Sequence, residues 1–396
     1  MGGLWSESRM LVGGRLVNAA DGRTFENVNP ATEQVLGATA DAGAGDMDAA
    51  IAAARSAFDD TGWSTDLDLR VRCLRQLHEG LGRHLEELRD LTVAEVGVPV
   101  SMTKGPHLDA AVANMPWVID LAGRYEWERD HGEQATPYGR SHRYVAREAV
   151  GVVAAITPWN VPTQINLAKV VPALAAGNTV ILKPAPDTPW SATALGRIVA
   201  QETDIPAGVF NVVPTSDNSV AQRLAEDPRV DLVSFTGSTA TGRRLMAAAA
   251  GTVKKVFLEL GGKSANIVFD DADLAGIIPG ALAIIWNSGQ GCAITTRLLV
   301  QRGLYDEAVD RISQALSGVK CGDPTSPGTM MGPLISELQR SRVLGLIDKG
   351  GEEGAKLVTG GGRPWTRAGM SNPRSSPTST PTPRSRSRRS SGPSWP

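Results

Sequence analysis

Four apolar runs decide the architecture: GVVAAITP (151–158), NTVILKP (178–184), VFNVVP (209–214) and VDLVSFTG (230–237). Each is short, rich in β-branched residues and closed by Pro or Gly, and a stretch of helical composition separates each from the next. This alternation predicts an α/β fold with a parallel sheet covered by helices, in which ligands gather at the carboxyl ends of the strands. The rhythm resumes at VFLELGG (256–262) and ANIVFDDADL (265–274), followed by a helix from Leu274 to Asn287 and a strand from Thr296 to Gln301. A second domain is expected to begin there.

Upstream, the turn-rich text from Arg15 to Gly37, with Asp21-Gly22 between apolar runs and Asn29-Pro30 as a stop, predicts a small antiparallel pair. Asp46 is expected to cap an alanine-rich helix through Phe58. A longer helix is expected from Leu67 to Val96, with leucines 74, 77, 81, 85, 88 and 91 as plain core. Between Tyr125 and Glu148 the text turns polar and Tyr/Arg-rich, as in TPYGRSHRYVARE (136–148), which suggests an exposed hairpin. Beyond Gly362 only Ser, Pro, Thr and Arg dominate, a composition that taken at face value is a disordered basic tail.

With 396 residues, 41% of them hydrophobic, the chain is long enough for two packed domains. Its 40 basic and 42 acidic residues give a net charge of −2, which leaves no field to attract nucleic acid or an anionic membrane, so a small-molecule ligand is expected. Cys73, Cys292 and Cys321 lie in no disulfide or metal-ligand spacing. No metal site is predicted. A reduced, cytoplasmic location is expected, for a soluble and unprocessed chain, since the first residues do not read as a leader and no run approaches the ~20 apolar residues of a membrane span.

Several residues carry possible chemistry. Cys292, in NSGQGCAITTR, reads either as a thiol at the mouth of a cleft or as a buried small hydrophobe. Glu259 ends an apolar strand before two glycines and reads either as a site carboxylate or as a solvated strand end. Asn160, in ITPWN, offers an amide to a developing oxyanion, or a turn residue beside Pro158. FTGSTATG (235–242) follows a strand and opens a helix, so its N–H groups suit a pyrophosphate, although it lacks both the three-glycine fingerprint and a Lys-Ser/Thr loop. Lys183 is a cation at a strand end, in a binding site or simply on the surface.

Together TPWN, ILKPAPDTP, FTGSTATG, LELGGKSA and GQGCAITTR, in this order, resemble the aldehyde dehydrogenase superfamily from about Arg15 to Gly362. The resemblance implies a Rossmann-type cofactor domain (1–130 and 150–261), an oligomerisation hairpin (131–149) and a catalytic domain represented only in part (262–363). It implies Cys292 as nucleophile, Glu259 as general base and Asn160 as oxyanion-hole amide. Lys183 matches the adenosine-ribose ligand, Ser238 with the Gly237–Gly242 turn the pyrophosphate site, and Pro158 and Trp159 the wall of the cofactor cleft. An aldehyde would pass through a thiohemiacetal and a thioester to the carboxylic acid, with NAD or NADP as oxidant. Gly289 and Gly291 would leave room for cofactor and substrate. Transfer to coenzyme A is the related alternative, which the retained Glu259 disfavours; a non-catalytic nucleotide-binding protein is the alternative from another class. Where many relatives carry a glutamate three positions after the lysine, this chain has Pro186, which leaves NAD versus NADP open.

The resemblance stops near Arg363, before a Glu-x-Phe-Gly-Pro segment of the family. Moving one nucleotide back through permissible codons for RSSGPSWP (389–396) yields Glu-Ile-Phe-Gly-Pro-Val-Leu-Ala, and residues 371–382 recode to an acidic, strand-like segment. We therefore expect residues 364–396 to be an out-of-frame tail that begins at a frame change near 363–365, a genuine extension being the other reading. The codons themselves decide it. Loss of the corresponding structure would expose apolar surface, remove the family's subunit-pairing strand and leave little or no turnover.

Overall fold

The computed structural model describes residues 6–360, so the expected tail at 364–396 lies outside the described residues. In chain order, β1 (Met10–Val12) and β2 (Arg15–Val17) form an antiparallel ribbon, and β3 (Thr24–Val28) and β4 (Val35–Ala40) a separate antiparallel pair. β5 (Glu128–Thr136) and β6 (Gly139–Ala146) make the expected exposed hairpin, starting and ending three residues before 131–149. The parallel strands are β7 (Val152–Ile156), β8 (Thr179–Lys183), β9 (Phe210–Val212), β10 (Leu232–Gly237) and β11 (Lys255–Leu260). β12 (Ala265–Val268) and β13 (Arg297–Val300) pair in parallel in a sheet of their own.

The main sheet runs β11-β10-β7-β8-β9-β1-β2. From β7 the chain winds outward through β8 and β9, then returns to the other side of β7 for β10 and β11. The order reverses between β7 and β10, the place where loops leaving neighbouring strands of an open parallel sheet run to opposite faces and a ligand crevice is expected. β7, β8 and β9 are buried on both faces by the helices that cover them, while β11 at the edge alternates exposed and half-buried residues. Val153, Ala155, Val180 and Leu182 join the core beneath the helices Leu67–Arg83 and Pro162–Ala175, while Val152, Ala154, Ile181 and Phe235 pack toward Ala44–Asp60 and Thr239–Ala249.

Some expectations shift in register. Asp21-Gly22 links β2 to β3, which do not pair, so the antiparallel partner of Thr24–Val28 is the strand beyond Asn29-Pro30. The first helix starts at Ala44, two residues before Asp46; Asp46 lies in its first turn and accepts from the Gly43 N–H at 2.9 Å. The stretch 67–96 is two helices, Leu67–Arg83 and Leu85–Val96, broken at His84. Leu74, Leu77, Leu81, Leu88 and Leu91 are core, and Leu85 is half-buried. The helix expected to reach Asn287 ends at Leu282 and gives way to a tight, irregular turn.

Arg70 anchors the helix that follows β7. Its buried guanidinium donates to the carbonyls of Ala175 (3.1 Å), Trp63 (2.9 Å) and Ser64 (2.9 Å), so a cation caps the carboxyl end of Pro162–Ala175, where the helix dipole favours it.

His107 is fully buried against Trp286, with ring centroids 5.3 Å apart and neither ring nitrogen hydrogen-bonded within the described residues. Burial holds its pKa down at about 4, below the ordinary 6.5. A base whose folded pKa is lowered binds fewer protons folded than unfolded, so stability is complete above about pH 6.5 and falls as the pH drops toward about 4. We expect a loss of about 3 kcal/mol over that window. Chemical denaturation across pH 4–7 checks it; His107→Phe should flatten the profile, and an equally steep profile in that variant would remove His107 as the cause.

Candidate active site

The carboxyl ends of β7 and β10 carry the predicted cofactor segments to the crevice. β7 runs into Thr157, Pro158, Trp159 and Asn160, with Trp159 and Asn160 buried, and β10 ends at Gly237 before Ser238. Ser238 is the N-cap of the helix Thr239–Ala249, and its hydroxyl oxygen accepts from the Thr241 N–H at 3.2 Å. Its side chain is thus committed to the helix, which leaves the backbone N–H groups of that terminus to meet an anion. A Cβ on Gly242 would come 3.0 Å from Leu260, so this glycine serves close packing of helix on sheet.

Cys292 follows a turn in which Asn287 (φ 47°), Ser288 (φ 58°) and Gly289 (φ 78°) are all left-handed, a conformation costly for the two non-glycine residues. Hydrogen bonds hold the turn. Asn287 Nδ2 donates to the Asn160 carbonyl at 2.8 Å and the Gln290 carbonyl at 3.2 Å, and Asn160 Nδ2 donates to that same Gln290 carbonyl at 2.8 Å. The Gln290 side chain donates to the Asn287 carbonyl (3.1 Å) and accepts from Ile335 N–H (2.9 Å), while Ser288 Oγ donates to the Gly332 carbonyl (2.9 Å). The loop is therefore bolted to Asn160 on one side and to 332–335 on the other. Gly291 leaves its space to protein, since a Cβ there would meet Ile294 Cδ1 at 2.6 Å.

Glu259, exposed near the end of β11, lies close enough to the half-buried Cys292 thiol for its charge to act on it. Burial first, and then the Glu259 carboxylate, pushes the Cys292 pKa up; backbone N–H groups of Cys292 and Ala293 partly offset this. At neutral pH the sulfur holds its proton. Lys169, on the helix Pro162–Ala175, faces the same carboxylate; burial lowers its pKa to about 8, against the pull of Glu259. Its Nζ donates to Ser234 Oγ at 2.8 Å and lies over the Phe257 ring.

Lys183, the last residue of β8, is not a surface lysine: it is 1% exposed. Burial lowers its pKa to about 7, with Asp187 and then Asp41 drawing it back up. It stands one strand from Asn160, joined across the sheet by the Thr157 N–H donating to the Lys183 carbonyl at 3.1 Å. Among the described residues no group of His, Cys, Asp and Glu is arranged to hold a metal ion, and no helix is long and apolar enough to cross a membrane.

Cys292, Glu259 and Asn160 thus converge from three separate segments, with the Pro158–Trp159 and Gly237–Ser238 segments beside them. Sequence reasoning missed Lys169, Asn287 and Gln290. A lone lysine in the otherwise apolar PTQINLAKVVPALA was a usable signal for the first; the other two act through backbone carbonyls, which leave no mark in the text.

The sequence matches the aldehyde dehydrogenase family over residues 16–376, running on past the expected boundary at 363. It is 38% identical to a 2-hydroxymuconic semialdehyde dehydrogenase of Pseudomonas sp. (strain CF600), over 90% of this chain and 74% of that protein. An aldehyde dehydrogenase from Bacillus cereus, solved as its NAD+ complex, superposes with a TM-score of 0.87 at 36% identity, covering 94% of this chain and 75% of that one. An Escherichia coli NADP-dependent enzyme superposes with a TM-score of 0.86 at 36% identity over 93% and 76%. The chain belongs to the aldehyde dehydrogenase family of NAD(P)-dependent oxidoreductases, whose general reaction is the oxidation of aldehydes.

Proposed function

We propose that this chain oxidises a small-molecule aldehyde to its carboxylic acid with NAD or NADP, through a covalent adduct on Cys292. The observation that carries the reading is the approach of the Glu259 carboxylate to the Cys292 thiol, with the Asn160 amide two residues from that sulfur through the Gln290 carbonyl. Cys292 attacks the carbonyl carbon as its thiolate. The amide nitrogen of Asn160 carries two hydrogens; one binds Gln290, and the second, with the Cys292 backbone N–H, is available to the oxyanion. Glu259, exposed to solvent, receives the thiol proton and releases it to water, and then as a carboxylate activates the water that hydrolyses the thioester, which favours free acid over transfer to coenzyme A. Lys169 keeps a positive charge beside that carboxylate.

Residues at the strand ends suit a dinucleotide: a helix N-terminus after Ser238, a buried lysine at 183, and the buried hydroxyls of Thr157 and Thr188, which have no hydrogen-bond partner among the described residues. When bound, the nicotinamide supplies the hydride acceptor. We assign 1–130 and 150–261 to the cofactor half, 262–363 to part of the catalytic half, and subunit pairing to the hairpin near 131–149, where Tyr138 and Tyr144 are exposed. Slow turnover is expected, because among the described residues β12 and β13 pair only with each other and leave Ile267, Phe269 and Leu299 exposed on either side of the Cys292 loop.

The test is Asn160→Ala in the full chain, assayed for acid formed from aldehyde. We expect a loss of roughly 10²–10³-fold relative to the unsubstituted chain. Unchanged turnover in that variant would end the proposed role of the amide, and a chain that forms acid after Cys292→Ser would end the covalent route.

A further inference from the structure

The Gln290–Gly291 peptide, one step before the Cys292 N–H, is gripped by two side-chain amides. Its carbonyl accepts from Asn160 Nδ2 at 2.8 Å and from Asn287 Nδ2 at 3.2 Å, so the peptide that leads into Cys292 also orients the Asn160 amide. Gln290 is fixed in turn by its own side chain. Nε2 donates to the Asn287 carbonyl at 3.1 Å, the oxygen that also accepts from the Gln290 N–H at 3.0 Å, and Oε1 accepts from the Ile335 N–H at 2.9 Å. These bonds brace a residue at φ −90°, ψ 59°, near the inverse γ-turn conformation, where the chain leaves the left-handed run 287–289. The anchor is firm, because Ile335 packs in the same core cluster as Ile156 and Trp159, which lead to Asn160. Gln290 is 8% exposed, so its bonds are largely shielded from water.

We infer that Gln290 is a positioning residue for the oxidation: by tying the Cys292 loop to Ile335, its side chain holds in register the two donors that meet the oxyanion, the Asn160 amide and the Cys292 backbone N–H. This role rests on the covalent route proposed above. Donors fixed in advance stabilise the developing charge because they need no reorganisation as it forms. Without the Gln290 amide, the Ile335 N–H and one bond to the Asn287 carbonyl are lost, the Gln290 carbonyl is free to swing, and the hydrogen that Asn160 keeps for the oxyanion swings with it. The sulfur itself keeps its burial and its neighbour Glu259, so its reactivity as a thiolate stays the same.

Two reagents applied to the full chain at one pH separate positioning from reactivity. With p-nitrophenyl acetate the thiolate adds to the ester carbonyl, an oxyanion forms, and p-nitrophenolate leaves; with iodoacetamide the same sulfur displaces iodide and no oxyanion forms. Acylation is read as p-nitrophenolate released in excess of that from Cys292→Ser, and alkylation at Cys292 by peptide mass spectrometry. The ratio of the two rates reports the oxyanion donors and needs neither a dinucleotide nor a matching aldehyde. Asn160→Ala should lower the ratio roughly 100-fold, and Gln290→Met roughly 10-fold. In the Asn160→Ala background, Gln290→Met should lower it by less than about 3-fold, because the group it positions is gone. A merely structural defect would move both rates together and leave the ratio intact. If Gln290→Met has a lowered thermal midpoint, Gln290→Glu, which keeps an acceptor for the Ile335 N–H, replaces it in the same cycle, with a ratio expected between those of the parent and Asn160→Ala. A parental ratio in the Gln290 variant, or a loss repeated in full in the Asn160→Ala background, overturns the role of Gln290 while the covalent route stands. A ratio that Asn160→Ala leaves unchanged overturns the oxyanion site and Gln290 with it.

Discussion

Glu259→Gln is expected to make the Cys292 thiol more reactive while slowing aldehyde turnover by roughly 10²–10⁴-fold. The two effects have opposite signs because the carboxylate does two things. Its negative charge beside the sulfur disfavours the thiolate, and together with burial it holds the thiol pKa above the ordinary value. A neutral amide removes the charge, so the thiolate fraction at neutral pH rises. The same amide cannot take a proton from water, so the step that frees the acid stalls. Two measurements separate these effects: the alkylation rate of Cys292 against pH, whose midpoint should move down, and acid release, which should fall. If alkylation of the variant is slower than that of the unsubstituted chain across the pH range, the carboxylate is not what restrains the sulfur.

Gly332→Ala is the substitution with the largest expected effect on the fold. A Cβ at 332 would lie 2.0 Å from the Gly97 carbonyl oxygen, a backbone atom that no rotamer change can move. Gly97, left-handed at φ 74°, is itself pressed between Pro333 and Pro30, so the two glycines let two backbones touch. We expect a loss of about 3 kcal/mol and a thermal midpoint lower by roughly 5–10 °C. Damage should reach the site as well, because Ser288 binds the Gly332 carbonyl and Gln290 binds Ile335. Scanning calorimetry gives the first effect and alkylation of Cys292 the second; a variant with the parental midpoint would mean that the 97–332 contact opens freely.

The parallel sheet was legible because β7, β8 and β9 are buried on both faces, and β10 mostly so, and they read as apolar runs bounded by Pro and Gly. Cys292, Glu259 and Asn160 each fall at a strand exit or a glycine-rich turn, which by itself left two readings open, and only the resemblance of the joined motifs to a family singled them out. What escaped was set by tertiary contact. The break at His84 involves no Pro, and Gly80 and Gly82, which could have marked it, lie inside the first helix. β1 and β2 are three residues each, too short for any period to register. Lys183 looked like an ordinary surface cation, yet burial on both sides of β8 takes it out of water. The left-handed residues at Asn287 and Ser288 are paid for by hydrogen bonds from segments more than forty residues away, which no local pattern encodes.

The nearness of Glu259 to Cys292 also bears on how long such a chain survives in air. Peroxide attacks thiolates far faster than thiols, and oxidation beyond the sulfenic acid is permanent. A sulfur that keeps its proton at rest reacts more slowly with peroxide, so burial and the neighbouring carboxylate, which both favour the thiol, are expected to slow the oxidation of Cys292.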